Sequence, residues 1–364
     1  MKIAFRTDAS LLIGTGHVMR CLTLADALRA RGADCVFLCR PHTGHLLTQI
    51  GDRGHRVVAL PAPPSTFTRS PADPPHGDWL GTDWRRDAEE ARDALSGQGV
   101  DWLVVDHYAL DRRWEAALRP ACRRLMAMDD LADRPHDCDL LLDPSLGRES
   151  ADYAELLPVG AVTLLGPQFA LLRPEFAQHR TESLARRAAP ALRHLLITMG
   201  GVDKDNATGR VLEALDGCTL PPGLRITAVM GPHSPWLAEV QARAARMRVP
   251  TQVQVGVMDM ARLMTDSDLA IGAAGGTSWE RCCLGVPGIV LILAENQHGM
   301  AMTLQAAGAI VATTSAEEAA RWLQAQVSAG TISDFLARLS VAAACVTDGR
   351  GVIRVEQIML QRDD

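Results

Sequence analysis

Short apolar runs, each closed by glycine or an acidic residue and followed by a stretch with helical spacing, recur along the chain. Ile3–Arg6 is the first such run. A helix is predicted from about His17 to Arg29, because Val18, Leu22, Ala25 and Leu28 fall on one face. Gly32 stops it, and ADCVFLC (33–39) reads as the next buried strand. Apolar strands of this length alternating with helices require parallel β-α-β units, since parallel neighbours need a crossover between them. WLVVDH (102–107), RLMAMDD (124–130) and CDLLLD (138–143) each place acidic residues directly after an apolar run. In an open parallel sheet that position is the carboxyl edge, where ligands bind.

The alternation breaks in two places. PAPPSTFTRSPADPPH (61–76) is rich in proline and poor in apolar residues, and reads as an exposed loop over a cleft. Between 144 and 192 the periodicity weakens, and we place a domain junction there. HLLITMGG (194–201) restarts the pattern, which continues through RITAVMG (225–231), TQVQVG (251–256), DLAIGAAGG (268–276) and GIVLIL (288–293). The expected fold class is α/β: two Rossmann-like, doubly wound parallel-sheet domains facing a cleft. The expected domains are 1–160, 161–345, and a C-terminal helix in 346–364 that returns to the first. A length of 364 residues suits two such cores.

Composition narrows the function classes. Lys+Arg 37 against Asp+Glu 43, without long blocks of either sign, is the wrong balance for neutralising nucleic-acid phosphates. No apolar run is long enough for a membrane span, and MKIAFRTDAS lacks the apolar core of a secretory signal, so a cytoplasmic protein is expected. The nine cysteines form no CxxC pair, and several lie inside apolar runs, as buried reduced thiols do. No metal site or cofactor is expected. Asp129 and Asp130 are neighbours on a strand and point to opposite faces, one of them to orient a loop. Cys39, His42 and His45 lack an obvious fourth ligand. No Walker loop or G-x-S-x-G elbow occurs.

Gly14-Thr15-Gly16-His17 lies between the first strand and the first helix. The glycines permit a tight turn with open amide groups, but the third glycine of a dinucleotide fingerprint is replaced by Met19. At a helix start the dipole disfavours a second proton on His17, leaving a ring that can accept one; a simple capping role is the other reading. Gly272-Ala273-Ala274-Gly275-Gly276-Thr277-Ser278-Trp279-Glu280 follows a second-domain strand. Its small residues admit a pyrophosphate, Thr277 and Ser278 add hydroxyls, and Glu280 can accept from a ribose diol. A tight turn with a capping acid is the alternative. Gly200-Gly201 and Asn296-Gln297 share the carboxyl-edge position. So does Asp106-His107-Tyr108, whether as part of a cleft or as strand-end hydrogen bonding.

Taken together, these segments resemble the UDP-2,4-diacetamido-2,4,6-trideoxy-β-L-altropyranose hydrolases of pseudaminic acid biosynthesis. The resemblance runs through RTDASLLIGTGHVMRCLTLADALRARG (6–32), VVDHYALDRRWE (104–115), MDDLADRPHDCDLLLD (128–143), LLGPQFALLRPEF (164–176), MGGVDKDNAT (199–208) and GAAGGTSWERCCLGVPGIVLILAENQ (272–297). That family is similar to the peptidoglycan glycosyltransferases of GT-B architecture. The resemblance implies attack of water on the anomeric carbon with inversion, without a metal, releasing UDP and the free diacetamido sugar. It assigns His17 to the water, Gly14 and Gly16 to its loop, and Arg20 to the same GxGHxxRC segment on the substrate side. Gly275, Gly276, Thr277 and Ser278 would hold the diphosphate, with Gly200 and Gly201 as a second wall, and Glu280 the ribose. Asn296 and Gln297 would lie near the sugar or diphosphate, backbone groups of Val257 and Met258 at the uracil, and Asp106 and Tyr108 in the sugar pocket. Asp143-Pro144 departs from the asparagine-glutamine that the family often carries there. A GT-B glycosyltransferase, a hydrolysing 2-epimerase and a non-catalytic UDP-sugar binder are the rival readings.

Overall fold

The structure, a computed structural model, describes residues 1–64 and 66–361. Ser65 in the proline-rich stretch and positions 362–364 of the expected C-terminal segment lie outside the described residues. The chain divides into two compact units, Met1–Leu171 with the segment from Gly351 onward, and Leu172–Arg350.

The first unit is built on seven parallel strands: β1 (Lys2–Thr7), β2 (Asp34–Cys39), β3 (Arg56–Ala59), β4 (Val100–Asp106), β5 (Cys122–Met128), β6 (Leu140–Asp143) and β7 (Val162–Leu165), in the order β3-β2-β1-β4-β5-β6-β7. The central strands read as largely apolar runs because both faces are covered, whereas the edge strands β3 and β7 are only half-buried. Ile3, Phe5, Phe37, Trp102 and Val104 pack into one core, whereas the intervening Ala4, Leu38, Leu103 and Val105 pack into another. The chain leaves β1 towards β2 and β3, then returns to β4 on β1's other side. That reversal opens a crevice beyond the ends of β1 and β4.

The second unit repeats the plan with β8 (His194–Thr198), β9 (Arg225–Met230), β10 (Thr251–Val255), β11 (Leu269–Ala273), β12 (Gly288–Leu291) and β13 (Ile310–Thr313). Its parallel order is β10-β9-β8-β11-β12-β13, which puts the reversal between β8 and β11. Gly200-Gly201 follows the first of these and Gly275-Gly276 the second. Among the described residues, no helix is long and apolar enough to cross a membrane.

Two boundaries differ from expectation. AVTLLG, assigned to the second domain when the cut is set at 160/161, forms β7, and Leu140↔Val162 through Asp143↔Leu165 pair it to β6. The first unit therefore runs to Leu171, and the second ends at Arg350 rather than 345. A four-residue apolar edge strand carries no signal for which sheet it joins. The C-terminal helix Gly351–Gln361 packs Val352, Val355 and Met359 into the first unit's core, and Glu356 accepts from Arg31 at 2.6 Å. It approaches so closely that a Cβ on Gly351 would lie 2.2 Å from the Ala170 carbonyl oxygen. Gly351→Ala is therefore expected to cost about 1–3 kcal/mol of stability. Urea unfolding measures this, and an unchanged midpoint would show that the contact relaxes freely.

Candidate active site

β1 ends at Thr7, and the chain turns through Ser10–Thr15. The Ser10 hydroxyl accepts from the amides of Leu12 (3.1 Å) and Ile13 (2.9 Å), and Gly14 takes a left-handed φ of 82° that only glycine adopts freely. Gly16 opens the helix Gly16–Ala30, which places His17, Arg20 and Cys21 on the face turned towards the end of β4. In the β1–β4 register Thr7 pairs with Asp106, bringing that carboxylate level with the helix start.

Asp106 is fully buried and accepts from His17 Nδ1 at 2.6 Å. Arg20 clamps it in a two-pronged fork, Nε to Oδ2 and Nη2 to Oδ1, both at 2.6 Å, while Nη1 reaches Asp130 at 2.9 Å. Burial alone would push the Asp106 carboxyl up, but Arg20 and His17 outweigh it and hold it well below the usual carboxylate range. A carboxylate has only lone pairs to offer, so His17 must carry its proton on Nδ1. In the neutral ring Nε2 is then the nitrogen with a free lone pair. The pair can therefore take a proton from a group placed at Nε2, and Arg20 keeps Asp106 from competing for it.

Aromatic rings wall this histidine. Tyr108 meets His17 edge-on at 4.6 Å between centroids, and its hydroxyl donates to Asp130. Trp79 stacks on Tyr108 at 5.5 Å, and His76 lies 4.6 Å from Trp79. Trp79, Leu11, Leu12 and His42 are among the walls of a recess of about 220 Å³. The proline-rich stretch is exposed over much of its length, as expected, but its end at His76 and the following turn Gly77–Leu80 close on the site.

Asp129 and Asp130 follow β5 and take different partners, Asp130 those at Arg20 and Tyr108. Asp129 is buried, orienting the next loop through the amides of Leu131 and Ala132 and pairing with Arg134 at 2.8 Å. Among the described residues, no three or more His, Cys, Asp or Glu are arranged to hold a metal ion.

In the second unit, Gly200 (φ 88°) and the half-exposed Gly275, exposed Gly276 and half-exposed Thr277 follow the two strands flanking the reversal. A Cβ on either Gly275 or Gly276 would meet open space, so their backbone is approachable; at the start of the helix Thr277–Cys283 the amides of Ser278 and Trp279 already donate to the Gly275 (2.8 Å) and Gly276 (3.1 Å) carbonyls. Glu280, one turn on, is half-buried. Burial, only partly offset by Arg173 and Arg281, pushes its carboxyl up to about 7.

Several expected site residues are committed within the fold. Asp106, expected in the sugar pocket, is fully buried behind His17 and Arg20. Arg20 and Tyr108 likewise spend their polar atoms on Asp106 and Asp130. Ser278 is fully buried and turned inward, accepting from Arg281 at 2.9 Å and from the Gly275 amide at 3.4 Å. The Met258 carbonyl accepts from Arg173 at 3.1 Å, and Met258 is otherwise exposed beside the half-buried Val257. Gln297 spends its side-chain oxygen on the Leu293 amide, whereas Asn296 is exposed. His76, Trp79, Arg173 and Arg281 were not singled out from sequence, and Asp130 was weighed only as half of a carboxylate pair with Asp129. The WERC run placed Arg281 one residue from a chosen acid, but the other three join their partners only through the fold.

Two parallel-sheet α/β domains, each with its ligand-edge loops at the strand-order reversal, are the architecture of GT-B glycosyltransferases. The structure of Acinetobacter baumannii MurG matches with a TM-score of 0.69 at 16% identity, covering 99% of each chain. Anabaena HepE, solved in complex with UDP-glucose, matches with a TM-score of 0.57 at 14% identity, over 100% of this chain and 99% of that one.

At the sequence level, no protein-family model matches. The chain is 24% identical over 309 residues to the UDP-2,4-diacetamido-2,4,6-trideoxy-beta-L-altropyranose hydrolase of Campylobacter jejuni, covering 85% of this chain and 97% of that protein. It is 25% identical over 302 residues to an uncharacterized protein of Methanocaldococcus jannaschii, covering 82% of this chain but only 57% of that protein's length. It is also 30% identical over 200 residues to the spore coat polysaccharide biosynthesis protein SpsG of Bacillus subtilis, covering 53% of this chain and 57% of that one.

Proposed function

We propose that the chain hydrolyses a UDP-linked 2,4-diacetamido-2,4,6-trideoxyhexose at its anomeric carbon. The observation that carries this reading is the His17–Asp106 pair, whose 2.6 Å contact at Nδ1 leaves Nε2 of the neutral ring with a lone pair, while Trp79, 6.3 Å from His17 between ring centroids, lines a recess of about 220 Å³. His17 Nε2 takes a proton from water as the water oxygen bonds to the anomeric carbon. The bond from that carbon to the diphosphate oxygen breaks, its electron pair leaves with UDP, and the configuration inverts. Backbone amides near Gly276 and Thr277 take the charge of a nucleotide diphosphate, and Glu280 accepts from its ribose hydroxyls. The relatives named for a hydrolase and for polysaccharide biosynthesis, and the GT-B neighbour solved with UDP-glucose, support a UDP-sugar as substrate. A phosphorus NMR time course on that UDP-sugar, with EDTA and no acceptor, tests the reading. Release of UDP is expected, and an intact substrate would overturn it.

A glycosyltransferase is the second reading, favoured by one observation. Leu11 and Leu12 are 42% and 60% exposed at the recess and offer an apolar seat to an acceptor. Product formation only on addition of an acceptor would select it.

Glu280 gives a pH signature. Its ionised form is the one that accepts two ribose hydroxyls, so affinity falls as pH drops through about 7, by up to roughly tenfold per unit. Uridine is the suitable ligand because it lacks a titrating phosphate. Calorimetry between pH 5.5 and 8.5 should show the slope in the wild type and a flat profile in Glu280→Gln; identical profiles would remove the ribose assignment.

A further inference from the structure

Arg281 is 1% exposed, and no carboxylate among the described residues pairs with it. Its Nη2 donates to the Ala273 carbonyl (3.1 Å) and to Ser278 Oγ (2.9 Å), its Nη1 to Thr277 Oγ1 (3.4 Å), and its Nε is buried without a partner. The protein pairs its other deeply buried arginines in the first unit: Arg6 with Asp8 and Asp87, Arg40 with Asp87 and Glu90, Arg134 with Asp129. Arg187 also lacks an acid, but it donates to the carbonyls of Met264 and Ser267 near the end of the helix Met260–Thr265. There the helix field favours a cation. Arg281 reaches the other way, to the first residues of its own helix and the end of β11, where the field is positive already. A buried cation met only by neutral acceptors, with no counter-ion, is costly by several kcal/mol, and an anion brought to the turn would offset that cost.

Space is reserved for this side chain. A Cβ on Gly272 would lie 2.7 Å from Arg281 Nη1, so the glycine before the turn leaves room for the guanidinium. Burial pulls the Arg281 guanidinium below its ordinary value, as it does for a cation lacking a counter-ion.

We propose that Arg281 is a positioning residue for a diphosphate, its positive charge awaiting an anion at the Gly275–Thr277 turn. The proposal rests on the nucleotide reading of that turn. By donating to Thr277 Oγ1, the guanidinium leaves the half-exposed Thr277 hydroxyl with its hydrogen free for a phosphate oxygen. By donating to Ser278 Oγ, it holds the loop in the shape that exposes Gly276. Because its contribution is charge, it discriminates among ligands by their phosphate number, which a purely structural brace does not.

The test compares binding of uridine, UMP and UDP to the wild type, Arg281→Met and Arg281→Lys, with thermal unfolding to confirm that each variant is folded. Arg281→Met is expected to weaken UDP by about 10- to 100-fold and uridine by less than about 3-fold, with UMP between. Arg281→Lys, which keeps the charge but not the fork, should recover most of the UDP preference. Arg187→Met, removing a buried guanidinium of the other kind, should lower the unfolding temperature without changing the UDP-to-uridine ratio. Equal losses across the three ligands, or a Lys variant no better than Met, would make Arg281 a brace and overturn the proposal while UDP binding stands. A wild type that binds uridine as tightly as UDP would overturn the diphosphate turn itself.

Discussion

Replacing His17 with alanine is expected to lower turnover of the UDP-linked sugar by about two to four orders of magnitude and to leave UDP affinity within about twofold. The expectation follows from where the group stands. Its Nδ1 is committed to Asp106 at 2.6 Å, its ring is walled by Tyr108, and Nε2 is the remaining polar atom. Removing the imidazole removes the acceptor for the water proton and nothing proposed to hold UDP. The folding cost is small, because Asp106 keeps the Arg20 fork. Single-turnover kinetics with UDP titration separates the two effects. Retained turnover with lost UDP binding would move His17 from the chemistry to the nucleotide.

Asp106→Asn is the second large effect, expected at roughly 10²- to 10⁴-fold in turnover. An asparagine fits the same space, but its amide can donate to His17 Nδ1. That stabilises the tautomer with the proton on Nε2, which cannot accept another. The same change halves the charge facing Arg20, which retains Asp130 at 2.9 Å, so a stability loss of about 2 kcal/mol accompanies it. If the two residues act as one unit, the double variant should be no slower than His17→Ala alone. Losses that multiply in a double-mutant cycle would show that Asp106 works by another route.

The sheet architecture was legible because its cause is local. A strand buried on both faces must be apolar throughout, and a parallel neighbour requires a crossover, so the alternation of runs and helices carries the fold class directly. The carboxyl-edge rule then pointed to the loops holding His17, Gly200, Gly275 and Asp106. The β7 strand shows where locality ends. Val162–Leu165 is as apolar as any strand, but its pairing with β6 is a fact about its partner, and the sheet it joins shifts the domain boundary.

The same division runs through the candidate site. The sequence by itself determined the parallel α/β plan, the glycine turns and the position of His17 at the start of a helix. Only the tertiary structure decided what His17 can do, because its tautomer depends on a carboxylate 89 residues away that the β1–β4 register sets level with it. It also decided that Ser278 faces inward and that Arg281 is buried without an acid. Helical and strand periods state which residues share a face. Which charge meets which depends on long-range register and burial, and these exist only once the chain has folded.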